Sequence, residues 1–363
     1  MTIGPGALEL AALDLFAGTG WGVALQQRGI REGGVEIMDE AVASRAAAGM
    51  ETPFRDVWDV LLSAPTDSPW FKAALSIASP PCQSFSVAGK GAGRAALGDV
   101  LRAIDEHAYR TPEKLRALGA QTDERTALVL TPLAQVYRDR PTYVAWEQVV
   151  PVLPVWQACA AVLETLGYSV WTGIMRAEQY GVPQARRRAV LIARADGVEA
   201  AMPTPTHSRF YERQPDRLDP GVLPWVSMAA ALGWGLSQRP SPTITGGGTE
   251  TGGAEPIAKL ARYTSRPDWV FRRPATTVVA DPRLGGPGRS EFVRGGVSRQ
   301  NRPGSLRLEA HEAATLQTYP KGFHFGGGSG KQFLQIGNAV PPLMGGAIVD
   351  EILAPAAARS AAA

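Results

Sequence analysis

Leu10-Ala11-Ala12-Leu13-Asp14-Leu15-Phe16-Ala17-Gly18-Thr19-Gly20-Trp21-Gly22 decides the fold. The first seven residues form an apolar run of strand length, and the glycines after it make a turn that a ligand can approach closely. A helix is predicted from about Val23-Ala24-Leu25, presenting its unpaired first N–H groups to that turn. Strand, glycine turn and helix open a nucleotide-type α/β unit. The run lacks full dinucleotide spacing, so alone it reads equally well as a structural turn.

Further apolar strands are predicted at Gly34-Val35-Glu36-Ile37, Ala74 to Ala78, Tyr143-Val144-Ala145-Trp146 and Ala189 to Ala193. Helical patterns lie between them at Ala41 to Ala48, Leu128 to Arg138 and Trp156 to Leu166. Such alternation predicts an α/β fold, with a Rossmann-like, doubly wound and mostly parallel sheet covered by helices on both faces. After about Met202 the texture turns to Pro, Gly, Arg and Thr without periodicity. The chain is therefore divided into a main domain (1–202), a smaller loop-rich domain (203–305) and a C-terminal segment (306–363) that returns to the first. Within the second lies a faint echo, Arg239-Pro240-Ser241-Pro242-Thr243-Ile244 against Arg273-Pro274-Ala275-Thr276-Thr277-Val278.

With 363 residues, 45% apolar and 20% charged, the chain has the composition of a globular protein with more than one core. Two cysteines make no disulfide framework, and Cys82 and Cys159 lack metal-ligand spacing, so a reducing compartment and no metal are expected. No signal peptide and no membrane-spanning run is read, which predicts a cytoplasmic protein. A net charge of +3 identifies no nucleic-acid binder by itself. Its distribution says more, because Arg186-Arg187-Arg188, Arg272-Arg273 and a spaced arginine series from Arg283 to Arg307 concentrate positive charge in the second half, as suits a phosphate backbone.

Ser79-Pro80-Pro81-Cys82-Gln83-Ser84-Phe85-Ser86 sets a thiol in a rigid turn directly after a predicted strand. Two prolines fix φ, so Cys82 leaves the strand end in a set direction, placed to act as a nucleophile. Glu147 ends the strand at Val144-Ala145-Trp146, which puts a carboxyl at the same edge of the sheet, where open α/β sheets bind ligands. Gln184-Ala185-Arg186-Arg187-Arg188 enters the strand Ala189 to Ala193, and strand alternation places Arg186 and Arg188 on one face with Arg187 on the other. Two arginines beside a thiol and a carboxyl would hold a phosphate or polarise a carbonyl oxygen. Glu36, at the end of the second strand, is where such folds bind ribose hydroxyls, and Asp56-Val57, closing the third unit by pattern, is expected to accept from an adenine amino group, so that as a set they suggest an adenosine-containing cofactor.

The chain resembles the DNA (cytosine-5) methyltransferases in family order over nearly its whole length. The likeness rests on Asp14-Leu15-Phe16-Ala17-Gly18-Thr19-Gly20, Pro80-Pro81-Cys82-Gln83-Ser84-Phe85-Ser86, Glu147-Gln148-Val149, Gln184-Ala185-Arg186-Arg187-Arg188, Arg307-Leu308 with Glu312, Leu316-Gln317-Thr318-Tyr319-Pro320 and Gly337-Asn338-Ala339-Val340-Pro341. The resemblance implies S-adenosylmethionine as methyl donor and a cytosine flipped out of double-stranded DNA. It implies Cys82, Glu147, Arg186 and Arg188 as the catalytic set. It implies a cofactor-binding set of Asp14, Phe16, Ala17, Gly18, Thr19, Gly20, Trp21, Glu36, Ile37, Asp56, Val57, Pro80, Leu128, Asn338, Ala339 and Val340. Gln83, Ser84, Ser86, Thr243 and Thr277 are implied in DNA binding, with 203–305 as the target-recognition region. A monomer is expected, with a cognate restriction endonuclease as a possible companion.

Three departures stand out. Gln148 replaces the usual Asn, Ile37 stands where an aromatic residue often stacks on adenine, and Glu309 stands where Thr is usual. An apparent insertion fills Gly93 to Gln121, helical by pattern at Val100 to Ile104. Rival readings are the same chemistry on RNA cytosine, a catalytically weak DNA-binding homologue, and an unrelated thiol enzyme. The last would need a His partner, and none of the four histidines lies in a motif.

Overall fold

The computed structural model describes residues 10–62, 68–81, 97–121, 127–214, 216–233, 272–278, 283–284 and 306–355. Its main sheet has seven strands: β1 (Ala11–Leu15), β2 (Arg31–Val35), β3 (Glu51–Phe54), β4 (Leu75–Ala78), β5 (Tyr143–Gln148), β6 (Ser169–Arg176) and β8 (Arg187–Arg194), in the order β3-β2-β1-β4-β5-β8-β6. β1 to β5 run parallel, and β8 lies antiparallel between β5 and β6. β7 (Gln184–Ala185) pairs with β9 (Ala275–Thr276) outside this sheet. The mostly parallel, helix-covered sheet expected from the sequence is present.

Apolar side chains enter both faces of the sheet. On one face Leu13, Leu15, Val144, Trp146 and Leu191 meet the helices Val57–Leu62, Thr131–Asp139 and Leu153–Thr165. The Trp146 and Trp156 rings lie 5.5 Å apart there, a pairing worth about 1 kcal/mol beyond burial. On the other face Ile77, Ala145 and Ile192 meet Trp21, Leu25 and the C-terminal helix Pro342–Leu353. A third cluster joins the helices Met228–Leu232, Ala310–Leu316 and Ser329–Asn338 with Ala275 and Val278.

β3 and β6 were not foreseen, and both are sheet edges. Each buries one side at most, so neither carries the continuous apolar run that marked the central strands. Pro53 in β3 is tolerated for the same reason, since an edge strand can spare a donor. The apparent insertion is part of the core. Its helices Leu97–Asp105 and Pro112–Gln121 bury Val100, Ala103, Ile104 and Leu115 in the first layer.

Candidate active site

The strand order reverses between β1 and β4, so the loops leaving these strands diverge and open a crevice at their carboxyl ends. Backbone bonds close the edge around it, with Ser79 N–H on the Leu15 carbonyl at 3.2 Å and Ala17 N–H on the Val35 carbonyl at 3.0 Å. The glycine turn, the Pro80-Pro81 turn and the end of β5 therefore become neighbours. Cys82, Gln83, Ser84, Ser86 and Thr243 lie outside the described residues, and the chain is followed to Pro81.

Glu147 sits at the end of β5 with its side chain 4% exposed. Arg188 Nε lies 2.7 Å from its Oε1, and Ser79 Oγ donates to its Oε2 at 3.3 Å. Trp21 Nε1 donates to that same Ser79 oxygen at 2.9 Å. An indole N–H can only donate, so the single Ser79 proton is directed onward to Glu147. The chain Trp21–Ser79–Glu147 thus links the glycine-turn helix to the carboxylate. Ser79 had no role in the sequence reading; its place directly before Pro80-Pro81 was the available signal.

Gln148, the unusual amide, uses its extra length. Its Nε2 donates to the Pro80 carbonyl and its Oε1 accepts from Val149 N–H. One side chain thereby ties the end of β5 to the turn that leads into Cys82.

Arg186 corrects the expectation that it shares a strand face with Arg188. It precedes β8 and is 1% exposed, with Nη1 donating to the carbonyls of Gly337 at 3.0 Å and Val278 at 3.3 Å, and Nη2 to that of Ala339 at 3.0 Å. Its guanidinium holds two distant segments against the sheet. Arg188 alone of the pair reaches Glu147. Gln184 acts alongside Arg186, accepting from Val278 N–H and donating to Gln317 Oε1. The Thr277 hydroxyl, expected at DNA, donates to the Ala185 carbonyl at 3.1 Å.

The glycine turn is clamped from three sides. Glu36 accepts from Gly18 N–H through Oε2 and from Met38 N–H through Oε1, both at 2.8 Å. Thr19 and Tyr319 hydroxyls meet at 2.6 Å. Val340 packs so closely that a Cβ on Gly20 would lie 2.1 Å from its carbonyl oxygen. Gly18 (φ +48°) and Phe16 (φ +62°) are both left-handed, and in Phe16 this costs on the order of 1 kcal/mol, a strain typical of ligand clamps. Ile37 is 70% exposed, while Asp56 uses one oxygen to accept from Trp58 N–H and cap the helix Val57–Leu62.

Asp14 corrects a second expectation, that it meets the cofactor. It is fully buried under the turn, and burial, reinforced by the negative charge of Glu32, raises its carboxyl well above the usual range. Burial also raises Glu32, against the pull of Arg45, whose Nη2 spans both Glu32 oxygens at 2.8 and 2.9 Å. Arg45 Nη1 reaches on to the Gly18 carbonyl at 3.1 Å, so this buried group supports the turn from beneath. Ala17, Thr19, Gly20, Trp21, Val57, Pro80, Ala339 and Val340 are likewise buried, while Leu128 is half-buried and Asn338 exposed.

A doubly wound sheet with a clamped glycine turn beside an acid–guanidinium pair is a nucleotide-type α/β fold with a candidate site at its carboxyl edge. The family model for C-5 cytosine-specific DNA methylase matches residues 119–228 and 270–354, more than half of the chain, and the chain belongs to that family. It is a DNA (cytosine-5) methyltransferase. It is 29% identical over 296 residues to Type II methyltransferase M1.HphI of Haemophilus parahaemolyticus, covering 78% of this chain and 68% of that one. Over 362 residues it is 27% identical to Type II methyltransferase M.AplI of Arthrospira platensis, covering 95% and 86%. The fold matches that of the S. pombe Dnmt2 methyltransferase with a TM-score of 0.56 at 15% identity, covering 95% of this chain and 98% of that one.

Proposed function

We propose that the chain methylates carbon 5 of a flipped-out cytosine within a short DNA sequence through a covalent Cys82 adduct. The observation that carries this is the Glu147–Arg188 pair, held beside the Pro80-Pro81 turn that leads into Cys82. Cys82 thiolate adds to carbon 6 of the ring, making carbon 5 nucleophilic. Glu147 engages ring nitrogen 3 and the amino group, and Arg188 turns from Glu147 to the cytosine carbonyl oxygen, so the base replaces a pairing already in place. After methylation, loss of the carbon 5 proton expels the thiolate.

The residues present fit S-adenosylmethionine, which supplies an electrophilic sulfonium methyl group. Glu36 would accept from the ribose hydroxyls, Ile37 would cover a purine face, and the other oxygen of Asp56 would accept from the adenine amino group. Phe16, Gly18, Leu128 and Asn338 would border the rest. The buried Gly20, Trp21 and Val340 hold the turn in shape. Residues 1–202 and 306–363 would form the catalytic unit and 203–305 the target reader. We place the enzyme in the cytoplasm as a monomer beside a cognate restriction endonuclease, in keeping with the Type II relatives.

The test incubates purified protein with methyl-labelled S-adenosylmethionine, mixed-sequence duplex DNA and transfer RNA, then maps 5-methylcytosine by bisulfite sequencing. Label at one short motif in duplex is expected; label confined to RNA would defeat the proposal. Ser79→Ala is expected to lower kcat about tenfold, the worth of one hydrogen bond to a charged group, with KM for the cofactor unchanged. Unchanged kcat would remove Ser79 from the positioning of Glu147.

A further inference from the structure

We infer that Arg176, Arg187 and Arg209 form a clamp for a backbone phosphate of the DNA, just outside the base pocket. The inference rests on duplex DNA being the substrate and assigns one part of its grip. Arg176 ends β6 and Arg187 begins β8, and the two are directly opposed across the antiparallel pair. Opposed residues project from the same face, and like charges so placed repel. Arg187 is exposed and forms no ion pair among the described residues. Arg209 comes from a loop tied beside Glu178 by the Thr206 and His207 N–H groups on the Gln179 carbonyl, both at 3.0 Å; its own N–H bonds Asp219 at 2.9 Å and its guanidinium lies 5.1 Å from the Tyr211 ring centre. Its Nε is buried without a hydrogen-bond partner among the described residues.

Against these three cations stand, among the described residues, the buried carboxylate of Glu178, 3.7 Å from Arg176, and Asp219, whose carboxylate accepts from Arg209 N–H and Tyr211 OH. Glu178 Oε2 has no hydrogen-bond partner among the described residues, and burial pushes the Glu178 carboxyl up to about 7 despite the surrounding arginines. At neutral pH Glu178 therefore offsets the patch only in part. Burial, then the like charges of Arg209 and Arg187, lowers the proton affinity of Arg176. A further anion relieves this repulsion, and a phosphodiester suits guanidinium forks that are planar and doubly donating.

Location selects DNA as its source. Glu147 pairs with Val190, and Arg187 lies further along β8 toward the carboxyl edge, about 10 Å beyond the carboxylate. Strand alternation turns Arg187 to the face opposite Arg188, so the patch lies at the same carboxyl edge as Glu147 but across the strand from it, where a backbone phosphate flanking the base would be met.

The experiment measures binding of the full chain to two duplexes, one carrying the mapped target and one unrelated, over a range of salt. Arg187→Gln and Arg176→Gln are compared with Arg31→Gln, a matched charge removal at the amino end of β2. Each clamp variant should weaken both duplexes several-fold and flatten the slope of log K against log salt by about one unit. Arg187→Gln should melt no lower than wild type, because it removes a repulsion, which separates lost contact from lost fold. Unchanged slopes, a loss restricted to the target duplex, or an equal loss in Arg31→Gln would overturn the clamp. If the variants keep their slopes while wild type methylates DNA, the clamp alone fails; a wild type that ignores duplex removes both readings.

Discussion

Cys82→Ala is expected to abolish methyl transfer, by on the order of 10⁴-fold or more, while duplex binding persists. Carbon 5 of cytosine has little nucleophilicity until a thiolate adds at carbon 6, and neither alanine nor water can supply that addition. The second cysteine provides the internal control. Cys159 is fully buried in the helix Leu153–Thr165, and burial pushes its thiol far up, so it stays protonated and unreactive. Cys159→Ala should therefore remain active, and a thiol-directed alkylating reagent at neutral pH should label Cys82 alone, abolishing transfer as it does so. Single-turnover transfer from labelled cofactor, with gel-shift binding in parallel, measures both effects. Residual turnover by Cys82→Ala at more than about a hundredth of wild type would exclude the covalent route.

Gly20→Ala is expected to be the most damaging single methyl in the site. The added Cβ would meet the backbone oxygen of Val340 at 2.1 Å, and backbone cannot swing aside as a side-chain tip can. The segment Gly337–Val340 is itself held by Arg186 through the carbonyls of Gly337 and Ala339, so relief of the clash must displace that guanidinium as well. Overpacking of this kind costs about 3 kcal/mol. Affinity for S-adenosylmethionine should fall at least tenfold. Gly18→Ala separates strain from collision, because its Cβ would touch nothing within 4 Å and the cost is left-handed backbone alone, about 1 kcal/mol. Calorimetric unfolding and cofactor titration of both variants check the order. Wild-type cofactor affinity in Gly20→Ala would mean that the Val340 contact is dispensable.

β1, β4, β5 and β8 were legible because each is buried on both sides and leaves an apolar run of characteristic length; β2 (Arg31–Val35) lies earlier than the Gly34 to Ile37 expected, because Arg31, Glu32 and two glycines interrupt its apolar pattern. β3 and β6, on the rims, left none. Among the proposed site residues, Glu147 and Arg188 were readable from their positions at strand ends. Ser79 was not, because its role depends on an indole contributed by Trp21, far away in the chain. Arg186 shows the converse. Its sequence position beside Arg188 suggested an equal part, but the chain turns between β7 and β8, so alternation along one strand did not apply.

By itself the sequence determined the fold class, the order of the motifs and the chemical types available at the sheet edge, because strand length, glycine turns and prolines are local properties of a chain. Only the tertiary structure decided which charges face the crevice and which support it. Asp14 and Arg45 went beneath the turn, Arg186 went to the C-terminal carbonyls, and Arg188 alone was brought to Glu147. Those outcomes depend on which distant segments pack together and on where a buried charge finds its partner, and no local pattern encodes either.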